Sequence, residues 1–155
     1  MTQGDVIVPA AALVLLCLTA GWYDLRLRRI PNWLCLLTAA AGLAFAALPL
    51  AIGAPWWSFL LHGLIALLVG MGLFALRWIG GGDAKFYAAL ACWFPFGRAP
   101  LLLIAVCLSG LVLLVIWFTA RRLQGKKFRG TANDDSAKLP YGIAIAVGAM
   151  LAFAT

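Results

Sequence analysis

Apolar residues fall in long blocks along this chain, and short polar segments separate them. Six blocks are visible, at about Val6 to Tyr23, Trp33 to Ile52, Trp56 to Ile79, Ala84 to Phe96, Pro100 to Thr119 and Tyr141 to Ala154. Several approach or exceed the roughly 18 to 20 residues needed to cross about 30 Å of hydrocarbon, where backbone polar groups must be satisfied within helices. The expected fold is therefore all-α, a polytopic transmembrane bundle of about six helices forming one domain over residues 1–155. Trp22, Trp33, Trp56, Trp57, Trp78 and Trp117 all fall near proposed helix ends, as amphipathic rings settling at headgroup level would. The fourth block is the exception in length. Its 13 to 15 apolar residues cover only about 20 to 23 Å.

Composition agrees with a lipid solvent: 65% of the residues are hydrophobic and the mean hydropathy is +1.02. The net charge of +7 does not point to nucleic acid, because the basic residues sit between apolar blocks and form no continuous stripe. Arg26, Arg28, Arg29, Arg77, Lys85, Arg121, Arg122, Lys126, Lys127, Arg129 and Lys138 fall on one face of a six-crossing topology, and only Arg98 falls on the other. The positive-inside rule makes the first face cytoplasmic and leaves both termini outside. No basic residue precedes the first block, so helix 1 is expected to stay attached. The polar segment from Ala120 to Leu139 reads as a solvated loop whose RRLQGKKFRG half can also meet anionic membrane lipid.

Cys17, Cys35, Cys92 and Cys107 are widely spaced inside apolar blocks, without a CxxC pair, and His62 is the one histidine. They read as small buried hydrophobes and a packing histidine, so neither metal, disulfide nor cofactor is expected. Gly42, Gly63, Gly70, Gly72 and Gly110 are expected to let helix backbones approach closely in lipid.

All five acidic residues are aspartates. Asp5 lies near the terminus, and Asp134 and Asp135 lie in the polar loop. Asp24 ends helix 1 in GWYDLRLRRIPN, and Asp83 begins helix 4 in IGGGDAKF. Two crossings separate them, so both reach the same membrane face. A short helix 4 would hold Asp83 below the surface, where the irregular Gly80, Gly81 and Gly82 require a wet pocket. Two carboxylates about 4 Å apart repel by roughly 4 kcal/mol at an effective dielectric near 20, so they share one proton. One can then take a proton from water while the other donates to a carbonyl, the division of labour in aspartic proteases. Each also has a plain reading: Asp24 pairing with Arg28 one turn on, and Asp83 capping helix 4. Lys85 points away from Asp83 on a helix and reads as an interfacial lysine.

At these residues the chain resembles the type IV prepilin peptidase family. The matching elements are Asp24 followed by a basic stretch and Ile30, Pro31 and Asn32, then GGGDAK from Gly80 to Lys85, then LPYGIAIAVG from Leu139 to Gly148. The resemblance implies an aspartic endopeptidase of the bacterial inner membrane that cuts the short basic leader from prepilins at the cytoplasmic face. Asp24 and Asp83 match the family's catalytic pair. Gly80, Gly81, Gly82, Lys85, Asn32 and Tyr141 are candidates for binding substrate or supporting the site. Bifunctional relatives that also N-methylate carry a cytoplasmic segment with paired CxxC motifs, absent here, and the compact form is similar to peptidases of Flp-type pili. Tyr23-Asp24 with Gly80 to Asp83 also fits a presenilin-like intramembrane protease, and paired carboxylates also serve proton-coupled transport or a pilus-assembly subunit.

Overall fold

Long apolar runs with helix-compatible residues and proline or glycine at their edges set where helices begin. A computed structural model of the chain describes residues 3–48, 54–123 and 141–155, with side chains from residue 7 onward. These form α1 (Gln3–Leu27), α2 (Asn32–Ala46), α3 (Trp56–Ala75), α4 (Gly81–Ala91), α5 (Ala99–Leu123) and α6 (Tyr141–Ala154), with a 3-10 turn at Phe96–Arg98. Pro31 and Pro55, both extended, stand immediately before α2 and α3, where a missing N–H costs nothing. Ile7–Leu27, Trp56–Ala75 and Phe96–Leu123 are long and apolar enough to cross a membrane, and α2 and α6 are shorter apolar helices.

Several boundaries depart from the expectation. Helix α1 does not end at Tyr23 but runs through Asp24 to Leu27, since nothing in DLRL breaks a helix. Helix α2 stops at Ala46 and α3 at Ala75, both short of the apolar runs that encode them, while α5 reaches Leu123. Lys126, Lys127, Arg129, Asp134, Asp135 and Lys138 lie outside the described residues, as does the side chain of Asp5.

Two helices on the same side of the bundle end on a left-handed arginine. Arg28, with φ of 50°, donates its N–H to the Asp24 carbonyl at 3.0 Å and closes α1. Arg77, with φ of 60°, and Trp78 donate to Phe74 and Leu73 at 2.9 and 3.0 Å, the paired bonds of a Schellman end.

Helix α4 is the centre of the packing, lying against α2, α3 and α6. Phe86, Leu90 and Phe94 are fully buried. Trp93 donates to the Thr38 carbonyl at 2.9 Å, and its ring joins Phe45 and Phe153 with centroids 6.2 to 6.3 Å apart. His62 is buried, its Nδ1 3.0 Å from the Phe94 carbonyl, and so serves packing as expected. Cys17, Cys35 and Cys92 are buried, but Cys107 is exposed because its position on α5 faces outward from the core.

The glycines divide. A Cβ on Gly42 would lie 2.7 Å from Trp93, one on Gly70 would lie 3.1 Å from Ala84, and one on Gly148 would lie 2.5 Å from the Cα of Val106. Gly63 is similarly closed by Cys92, and Gly110 by Tyr141. Gly72 meets nothing within 4 Å, so the expectation of close packing fails there. Gly148→Ala should therefore force α6 away from backbone that cannot yield, costing about 1 to 3 kcal/mol, whereas Gly72→Ala should match or exceed the wild type. Thermal unfolding followed by circular dichroism in detergent checks the pair, and equal midpoints for the two variants would contradict the packing.

Candidate active site

The chain ends four elements at one place. The last turn of α1, the start of α2, the Gly80 cap and first turn of α4 and the first turn of α6 surround a cavity of about 380 Å³. Asp24, Arg28, Arg29, Ile30, Asn32, Gly80, Gly81, Gly82, Asp83, Lys85 and Tyr141 line it. All eight residues singled out from the sequence are among them, and the fold brings Asp24 and Asp83 into one space from positions 59 residues apart.

Asp24 is 7% exposed, the one charged residue buried among those described. Its Oδ2 accepts the Gly142 N–H at 2.8 Å, joining α1 to the first turn of α6. Helix N-terminal N–H groups lack intrahelical partners and favour an anion, so this bond satisfies both groups. The approach requires glycine: a Cβ on residue 142 would lie 2.8 Å from that oxygen and 2.9 Å from Ile30. Arg28 closes α1 four residues on, and its positive charge acts on the Asp24 carboxylate.

Asp83 does not cap α4, as the plain reading had it. The N-cap is Gly80, with no side-chain bond, and Asp83 is the third residue of the helix. From there its carboxylate folds back towards Gly80, with Oδ2 2.7 Å from where a Cβ would stand. Gly82 lies 3.7 Å by the same measure from the Ile30 backbone, and Gly81 faces Phe74 at 3.1 Å. Burial, and then the negative charge of Asp24, push the Asp83 carboxyl up from its usual range to about 6.

Lys85 donates to Asn32 Oδ1 at 3.2 Å, tying α4 to α2 at the cavity rim rather than simply reaching for the interface. Tyr141 lies against α5, its hydroxyl 2.8 Å from the Cβ position of Gly110. Gly142 and Ile30 matter more here than the sequence suggested; the glycine within LPYGIAIAVG was the available signal, and its partner was not. Among the described residues no group of three or more His, Cys or Asp side chains gathers as a metal site.

A profile described as the type IV leader peptidase family matches residues 11–115, a stretch that contains both aspartates and stops short of α6. A similar curated protein is the prepilin leader peptidase/N-methyltransferase of Pectobacterium carotovorum subsp. carotovorum, 37% identical over 71 residues. That alignment covers 45% of this chain and 22% of the relative, so the chain matches about a fifth of the relative's length. No solved structure matches the chain.

The raised Asp83 value has a consequence for stability. A carboxyl whose folded value lies above its unfolded one contributes stability below about pH 4 that is lost as the pH rises through about 6. Asp83→Asn should accordingly unfold at a higher temperature than the wild type at pH 8 and at the same temperature near pH 4. A difference between variant and wild type that is the same at both pH values, measured by thermal denaturation in detergent, would contradict the burial of this carboxyl.

Proposed function

This chain belongs to the type IV leader peptidase family, and we propose that it is an integral membrane aspartic endopeptidase that removes the basic leader from prepilins. The observation that carries the reading is the meeting of Asp24 and Asp83 in one polar cavity at the arginine-rich end of an apolar bundle.

In this reading the pair shares one proton. The Gly142 N–H stabilises the anion on Asp24, while burial and the neighbouring charge hold the proton on Asp83. Asp24 takes a proton from water, the water oxygen attacks the scissile carbonyl carbon, and Asp83 donates its proton to the carbonyl oxygen. Collapse of the tetrahedral intermediate breaks the C–N bond. The leaving amine takes the proton from Asp24, and the carboxyl product returns one to the pair. Gly80 to Gly82 leave room for an extended peptide to approach the carboxylates, because no side chain stands between backbone and backbone. Asn32, joined to Lys85, and Tyr141 border that space.

Substrate geometry supports the same assignment. A prepilin places a basic leader at the cytoplasmic surface and an apolar helix in the bilayer, so the junction lies at the depth of this cavity if the arginine-rich end is cytoplasmic. The proposed location is the bacterial inner membrane with both termini outside, and Flp-type prepilins are the proposed substrate class.

Purified protein mixed in detergent with a full-length Flp-type prepilin should yield one new N-terminus by mass spectrometry, near the end of the leader. Asp24→Asn and Asp83→Asn should each reduce the rate by at least about a thousandfold, as loss of a required acid or base does, without lowering the amount of protein in the membrane. Cleavage retained by either variant would refute the pair; intact cleavage with altered proton movement would favour transport instead.

The rate should also fall as the pH rises through about 6, since Asp83 then loses the proton it donates. A flat profile from pH 5 to 8 would remove Asp83 from the acid role.

A further inference from the structure

Two apolar furrows on the bundle's flank reach the polar cavity, and they reach it at different side chains. One, of about 410 Å³ between α2, α3 and α4, meets it at Asn32 and Lys85. The other, of about 540 Å³ between α3, α4 and α5, meets it at Asp83 and Tyr141. A third groove of about 520 Å³ along α5 and α6 shares no residue with the cavity.

The furrow between α3 and α5 exists because α3 packs chiefly on α4 and α5 chiefly on α6, leaving the shorter α4 as its floor. It runs from Asp83 and Tyr141 at one end to His62 and Phe96 at the other. Asp83 is the one acidic side chain along it, and it opens onto the cavity that also holds Asp24. An occupant must thus be apolar over its length and carry a polar, preferably positive, group only at the Asp83 end. A phospholipid fits poorly, since an acyl chain lying here would bring its phosphate to the cavity that holds the Asp24 anion. The Lys85 mouth of the other furrow suits a phosphate better.

We propose that the furrow between α3 and α5 seats the apolar helix of the protein substrate, with the bond to be cut lying across Asp83. This rests on the leader-peptidase reading and adds to it the path by which the substrate lies in the bundle. Register follows from α4. Tyr87 stands one helical turn inward from Asp83 and lines the furrow together with Cys107. A substrate helix rising about 1.5 Å per residue therefore faces Cys107 roughly 4 to 8 residues beyond the scissile bond.

Cys107 makes the placement measurable, being the exposed thiol among four cysteines of which the other three are buried. The full chain carrying Asp24→Asn, to stop turnover, is reconstituted in phosphatidylethanolamine and phosphatidylglycerol vesicles with prepilins bearing a single cysteine at successive positions after the cut. Oxidative crosslinking should join Cys107 to positions roughly 4 to 8, with maxima three or four residues apart, and Cys107→Ser should abolish it. In the Cys107→Ser background, crosslinking instead to Leu36→Cys in the α2–α3 furrow or Leu108→Cys beside the α5–α6 groove would overturn the proposal. In the active enzyme, Leu103→Trp, which fills the furrow, should raise KM by about tenfold with kcat little changed, while Leu108→Trp leaves both unaltered. Equal KM for the two tryptophan variants would also overturn it. Cleavage by the wild type without any crosslink at Cys107 sinks the furrow alone. Absence of cleavage in the same vesicles sinks the leader-peptidase reading beneath it.

Discussion

Everything at the polar end of this bundle depends on how closely three helices approach α4. Lipid gives apolar helices no hydrophobic reason to associate, so contact must come from close packing and a few polar bonds. Helix α4 meets that condition with small residues, Ala84, Ala88, Ala89 and Ala91, all buried. Its neighbours answer with glycines: Gly63 and Gly70 of α3 face Cys92 and Ala84, and Gly42 of α2 faces Trp93. The far end is pinned by bonds from Trp93 to Thr38 and between His62 and the Phe94 carbonyl. Helix α4 has only 11 residues, and its first turn carries Asp83 into the cavity that the other helices enclose.

That enclosure is what gives the carboxylates their character. At the surface, water would screen Asp83 and Asp24 from each other and leave both ionised. Within the cavity Asp83 is raised by burial, and the field of Asp24 raises it further. The Gly142 N–H breaks the symmetry of the pair, because it favours the anion on one partner. A bond between residues 118 apart thus closes the bundle and distinguishes the two acids. The burial that keeps a proton on Asp83 also costs stability as the pH rises from about 4 through about 6.

The helix count and the convergence of the aspartates were legible from the sequence because both follow from lengths of apolar blocks and from counting crossings. The helix ends were less legible. Hydropathy does not say where a backbone turns: the first apolar block stops at Tyr23 although DLRL continues the helix to Leu27, and the third block runs past the Schellman end at Arg77. Side-chain partners were the least legible. Asp83 looked like a cap from its place after three glycines, but the cap is Gly80. Lys85 looked interfacial because its own helix offers no partner, whereas Asn32 belongs to α2. Gly72 and Cys107 had the right residue types for packing and lie on the wrong helix faces. A weak helical periodicity explains both errors: a helix apolar all round does not announce which side is inward.

The two left-handed arginines sharpen the connection between local strain and the site. Glycine is the usual residue at this position of a helix end, and an arginine there costs roughly 1 to 2 kcal/mol. Both exceptions fall at the end of the bundle where α1 and α3 turn towards the cavity. An arginine after the last turn also sets a positive charge beside the negative end of the helix dipole, worth about 0.3 to 1 kcal/mol, and Arg28 adds its field to Asp24. Membrane insertion supplies a further reason, since a positive residue in a short loop helps fix which way the helix pair faces. Glycine would relax the backbone but supply none of these charges. The strain at Arg28 and Arg77 is therefore best understood as the conformational cost of keeping positive charge at the two turns that lead into the cavity.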